Sequence, residues 1–174
     1  MQTEAVFENI EERIQQELSK AKKSVFLYVA WFNNKNLFNE LVNNARNGCS
    51  VSLIISNDNI NLYSPIDFEQ LHIYKSKVYR IGSGETELMP NNFCVIDHST
   101  IITGSYNWSY KAESNFEDVI ITSNDTALAD QFISEFNRIR KQYFHDEIKE
   151  EIIFPLDIIQ DKLLLRSFTY ICDP

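Results

Sequence analysis

Between Leu88 and Thr122 the chain reads LMPNNFCVIDHSTIITGSYNWSYKAESNFEDVIIT, a stretch that gathers most of the polar side chains whose types and spacing could do chemistry. On local rules alone, Gly104 and Ser105 allow a tight strand-to-loop turn, Asn107 can cap backbone groups there, and Asp97 closes a hairpin. The three histidines are dispersed: His98 follows Asp97, His72 has no motif around it, and His145 sits in a charged stretch. Both His72 and His145 are expected at the surface. Cys49, Cys94 and Cys172 are odd in number and far apart, matching neither a disulfide framework nor a zinc pattern. Each is expected to be a small buried hydrophobe in a reducing compartment, and no metal site or cofactor is expected. A second group, His72–Arg80 (HIYKSKVYR), sets Lys75, Lys77 and Arg80 among aromatics. These three are candidates for contacting a nucleic-acid backbone, against the blander account of a solvated strand face.

The elements that must position these groups can be read from patterning. At 174 residues the chain fits one domain, and 44% hydrophobic with 13% aromatic residues is enough to build a core, which excludes a disordered linker. The net charge of −9 argues against a generally basic nucleic-acid coat or a polybasic membrane-surface protein. There is no apolar run long enough to span a membrane, and the opening MQTEAVFENIEERIQQELSK is acidic and helix-patterned rather than leader-like, so a soluble, cytoplasmic chain is expected. Phe7, Ile10, Ile14 and Leu18 predict a first amphipathic helix. Ser24–Ala30 and Ser50–Ser56 are short apolar runs that predict strands buried on both faces, with a helix over Asn36–Asn47 between them that stops at Gly48. That α-β-α-β order predicts parallel strands covered by helices. A turn at Asn57–Asn61, a short helix at Pro65–Tyr74 and a strand at Lys77–Ile81 follow. Phe93–Asp97 and Thr100–Thr103 predict a hairpin, Glu117–Thr122 another strand, and Asp125–Phe144 a long helix with Leu128, Phe132, Phe136 and Ile139 on one face. The expected organisation is an α/β domain over residues 1–146, with a mixed sheet flanked by helices on both faces. Residues 147–174 form an apolar extension expected to pack on the domain or on a partner.

The spacing of Asp97, Gly104, Ser105 and Asn107, with Glu117 at the next strand and Asp118 as the alternative register, resembles the phospholipase D superfamily. Its motif is His-x-Lys, four residues, Asp, six residues, Gly-Ser-x-Asn, then an acidic residue. The Tyr-Asn-Trp-Ser sequence after Ser105 and the run Phe26–Phe32 (FLYVAWF) are similar to its bacterial nuclease-like members, and the likeness covers residues 5–145. The resemblance implies a phosphohistidine mechanism that needs no metal, run by two motif copies about a twofold axis. Since this chain holds one copy, a homodimer across Leu88–Trp108 is implied.

Two positions depart from the motif. Pro90 stands where the family has histidine, and Asn92 stands where it has lysine. Proline has no nucleophile and no backbone donor, and asparagine offers neutral hydrogen bonds in place of a full charge. His98 cannot stand in, because at about 3.3 Å per residue a strand from Pro90 to His98 spans roughly 26 Å. The reading is a catalytically degenerate phospholipase D-like domain, a homodimeric binding, assembly or regulatory module with room for a protein partner. In it Asn92, Ser105 and Asn107 form a candidate phosphate or anion pocket, Asp97 and Gly104 serve as scaffold, and Trp108 and Tyr110 pack at a pocket rim or interface. The alternative is an active family nuclease or phosphodiesterase with an altered site, cleaving nucleic-acid phosphodiesters without metal.

Overall fold

A computed structural model describes residues 1–82 and 91–144. Pro90, His145, Cys172, the 146/147 boundary and the extension 147–174 lie outside the described residues. Among the described residues seven strands form one sheet: β1 (Gln2–Val6), β2 (Ser24–Val29), β3 (Ser50–Ser56), β4 (Lys77–Ile81), β5 (Asn92–Ile96), β6 (Thr100–Gly104) and β7 (Val119–Ser123). The helices are α1 (Ile10–Leu18), α2 (Lys35–Arg46), α3 (Asn59–Leu62), α4 (Glu69–Ile73) and α5 (Thr126–Tyr143). Sheet order is β1-β7-β6-β5-β2-β3-β4. The helix-linked strands β2, β3 and β4 pair in parallel, as the α-β-α-β order predicts. The hairpin strands and both ends of the chain order supply the antiparallel half, β5, β6, β7 and β1.

Pleating divides the side chains of β2 between two faces. Val25, Leu27 and Val29 join Val51, Leu53, Ile55, Cys94, Ile96 and Ile102 in one core with Ile14, Leu18, Leu37 and Leu41 of α1 and α2. Phe26, Tyr28 and Phe93 point the other way, under α5: Phe26 meets Phe136 edge-on at 5.4 Å and Phe93 meets Phe132 at 5.0 Å. Burying both faces explains why β2 reads as a continuous apolar run. Gly48, at φ 90, takes the left-handed position after α2, where a Cβ would be strained. The hairpin between β5 and β6 turns on Asp97 and His98, both left-handed at φ 52 and 53. Three residues, Asp97, His98 and Ser99, separate the closing pair Ile96 and Thr100, and Ser99 N donates to Ile96 O at 3.1 Å across the turn, one residue more than the two-residue turn that the sequence suggested.

Three expectations need correction. Phe7 does not begin α1; the residues before it form β1, and its ring is 69% exposed. The turn at Asn57–Asn61 contains the short helix α3, capped by Asp58 Oδ1 accepting from Asn61 N at 3.0 Å. The inward stripe of α5 is Ala129, Ile133, Phe136 and Ile139, with Phe132 half-buried at its margin.

Candidate functional site

The carboxyl ends of β2, β3, β4 and β6 and the amino ends of β5 and β7 meet at one end of the sheet. In open α/β sheets this is where ligands bind. Asn92 opens β5 there and is buried. Its Oδ1 accepts from Ala30 N at 3.1 Å, and its Nδ2 donates to Ser105 O at 3.2 Å. The amide therefore ties the end of β2 to the turn after β6. Asn61, also buried, holds the other side of the same peptide run: Nδ2 donates to Ala30 O and to Ser56 O at 2.7 Å each, and Oδ1 accepts from Phe32 N at 2.9 Å. Two asparagines thus bracket Ala30. Asn61 was not singled out from sequence, where its only signal was membership of an Asn/Asp-rich turn.

Ser105 follows β6. Its hydroxyl donates to Glu117 Oε2 at 2.5 Å and accepts from Asp118 N at 3.1 Å. The chain can pass this close because residue 104 is glycine: a Cβ there would lie 2.1 Å from Asp118 O. Asn115 Nδ2 donates to Glu117 Oε1 at 3.0 Å. Asn107 joins the same loop, and its Oδ1 is buried with no hydrogen-bond partner among the described residues. Next to it Tyr106 is buried and its hydroxyl donates to Glu113. Burial, then that carboxylate, push the phenol well above its ordinary range. The structure therefore brings Asn92, Ser105 and Glu117 together, with Asn107 two residues further along the same loop. Around Ser105 the charged side chains within hydrogen-bond reach are the carboxylates of Glu117 and Asp118.

Trp108 is not at a rim or interface: it is 2% exposed and packs edge-on against Phe32 at 5.4 Å. Its carbonyl accepts from Asn33 N and Asn34 N. Tyr110 is 47% exposed, its hydroxyl accepting from Lys35 N at 3.0 Å, and Phe116, just before Glu117, is fully exposed.

Asp97 lies at the opposite end of β5. Its carboxylate accepts from Lys22 N, Lys23 N and Ser24 N at 2.9, 2.7 and 2.9 Å, joining the hairpin to the start of β2. Partial burial pulls its pKa up, but these backbone donors outweigh it and hold the carboxyl below its usual value. His98, beside it, faces Asp130 at 3.7 Å and the Phe26 ring. His72 lies on α4 near Glu69 at 4.0 Å. Lys77 pairs with Ser52 near the start of the edge strand β4, whereas Arg80 pairs with Ile55 near its end and lies over the Phe68 ring at 5.0 Å. Lys75, before β4, is left-handed at φ 60. These cations are spread along an edge strand rather than gathered at the Ser105 loop. Cys49 and Cys94 are buried, and burial raises both thiols, Cys49 to about 11. Among the described residues no cluster of His, Cys, Asp and Glu could hold a metal ion, and no helix is long and apolar enough to cross a membrane.

Comparison with known proteins places this geometry. The family model "Cardiolipin synthase, PLD-like domain" matches residues 14–140. A mitochondrial cardiolipin hydrolase of Xenopus laevis is 29% identical over 133 residues, 75% of this chain and 61% of that protein. A phospholipase D of Rickettsia typhi is 22% identical over 124 residues, 71% of this chain and 59% of that protein. This chain therefore spans about three-fifths of the length of these relatives. Among solved structures, Nuc of Salmonella typhimurium, a phospholipase D family member, superposes with a TM-score of 0.67 at 15% identity, covering 79% of this chain and 92% of that one.

Proposed function

Because the chain belongs to the phospholipase D superfamily, through a PLD-like domain at residues 14–140, we propose that it is a catalytically degenerate member. In this reading it works as a homodimeric binding, assembly or regulatory module in place of a phosphodiesterase. The observation that carries the reading is Asn92. It stands where the family resemblance implies a lysine, and its buried amide is engaged with Ala30 N and Ser105 O. A phosphoryl group arriving there meets a neutral side chain already bonded to backbone. Pro90, at the histidine position, offers no lone pair to attack phosphorus.

The surroundings support the same reading. The Ser105 hydroxyl points its proton at Glu117, and a phosphodiester placed beside Glu117 and Asp118 would be repelled, with no cation among the side chains in hydrogen-bond reach of Ser105 to offset it. Tyr110 and Phe116 present apolar surface beside the loop, which suits a protein partner or a second copy of the chain. Two buried, un-ionised thiols suit a reducing compartment, and we place the protein in the cytoplasm.

The test is hydrolysis by the purified full chain of bis-aryl phosphate, cardiolipin in detergent, and single- and double-stranded DNA. No turnover above buffer is expected, with the chain sedimenting as a dimer at micromolar concentration. Turnover that disappears in Ser105→Ala or Glu117→Ala would overturn the loss of catalysis. A monomer would overturn the assembly.

A further inference from the structure

The described residues contain a cleft on the α5 face of the sheet, bordered by the motif positions Asn92 and Gly104. It encloses about 390 Å3 next to Gly104, and its working surface is Asn91, Phe93, Thr103, Gln131, Phe132 and Glu135. Its volume lies in the range of small-molecule sites, roughly 300–1,000 Å3. We propose that this cleft binds an uncharged, planar heteroaromatic amine of nucleoside size.

Three features select that chemistry. The apolar wall is aromatic and braced: Phe132 leans on Phe93 at 5.0 Å, and Phe93 stacks on Tyr28 at 5.3 Å with the rings 14° apart. A half-buried Phe132 ring on a rigid support suits a flat, polarisable ligand. The polar groups converge on edge recognition. Asn91 and Gln131 each carry both a donor and an acceptor, whereas the Thr103 hydroxyl donates to Asn92 O at 3.2 Å, leaving its oxygen to accept. Glu135 accepts only. It is held ionised by Arg138, whose Nε and Nη2 each donate to it at 2.7 Å, so the carboxylate keeps lone pairs for an amine N–H. The third feature is charge. The working surface includes a carboxylate and no lysine or arginine, and Arg138, outside it, already gives Nε and Nη2 to that carboxylate, so an added phosphate on the ligand gains no cation at the wall.

A purine nucleoside meets these terms: an exocyclic amine toward Glu135, ring nitrogens toward the amides and a face toward Phe132. The ligand contacts come from Asn91, Thr103, Gln131, Phe132 and Glu135, whereas the amide of Asn92, at the cleft's border, is engaged with Ala30 N and Ser105 O. Binding at this cleft therefore stands whether or not the chain hydrolyses a phosphodiester.

The experiment is isothermal titration of the full chain with adenosine and, separately, with AMP. Saturable binding of adenosine with Kd of about 1 mM or tighter is expected, with AMP weaker by about tenfold or more. Glu135→Gln is expected to weaken adenosine about tenfold, by loss of a charged acceptor. Phe132→Ala tests the wall. Gln131→Ala, at an exposed position, keeps the test decisive if Phe132→Ala does not fold. No saturation by adenosine up to about 10 mM, equal affinity for AMP, or an affinity unmoved by both Glu135→Gln and Gln131→Ala would each overturn the proposal.

Discussion

The two ends of β5 carry the same kind of device for different purposes. At one end Asp97 receives three backbone N–H groups from the start of β2, and at the other Asn92 bridges Ala30 N and Ser105 O. Both are polar side chains saturated by backbone, and both fasten β5 to β2. The Asp97 joint is ionic and partly solvated, far from the loop that holds Ser105. The Asn92 joint is neutral and buried, in the position where the family resemblance implies a cation. The comparison separates two meanings of a retained motif. Asp97 and Gly104 have full structural occupations, so their presence is no argument for chemistry. The chemical content of the motif lies at the Asn92 end.

Gly104→Ala should produce the largest effect. A Cβ at 2.1 Å from the Asp118 carbonyl must push β6 from the start of β7, and a loss of about 3 kcal/mol or more is expected in denaturant unfolding. A fully stable Ala variant would show that β6 and β7 can separate and would weaken the case that Gly104 is scaffold.

Asp97→Ala should cost about 2–3 kcal/mol by removing a charged acceptor from three donors. Its pH signature is distinctive. The folded pKa of Asp97 lies below the unfolded value, so the folded state binds fewer protons and stability rises with pH through that window. The contribution is present above about pH 4, the ordinary carboxylate range, and is lost as pH falls through the lowered folded value. Denaturant midpoints of wild type and Asp97→Asn should therefore converge on acidification.

The smallest effect belongs to Asn92→Ala, about 1–2 kcal/mol from leaving Ala30 N and Ser105 O without partners. Because the amide does not titrate, that loss should be constant between pH 3 and 7, in contrast with Asp97→Asn. A pH-dependent loss at Asn92 would erase the distinction between the two joints.

Where one strand face or helix stripe carries its own reason to be buried, the sequence was easy to read. Ser24–Ala30 and Ser50–Ser56 are apolar enough to require cover on both faces, and their helix-linked order implies parallel pairing. The β5–β6 hairpin was legible from two apolar runs separated by two polar residues. β1 was not, because Gln2–Val6 has weak strand character and is a strand only through its register with Val119–Ser123. Helical spacing from Phe7 concealed it. Trp108 was misplaced for a similar reason: an aromatic in a polar loop gives no local sign that Phe32 lies beneath it.

At the candidate site, the residue types at 90, 92, 97, 104, 105, 107 and 117 are properties of the sequence, and so is the loss of an imidazole and an ammonium from the motif. Spacing alone was enough to set His98 a strand's length from position 90, since an extended chain has a nearly constant rise. Tertiary structure decided how each polar group is occupied. That the Asn92 amide is held by Ala30 and Ser105, that Asn61 closes on the same peptide run, and that α5 leaves a cleft beside Gly104 all depend on contacts between segments distant along the chain. A hydrogen bond is set by position and direction in space, and sequence spacing supplies these only within a single element.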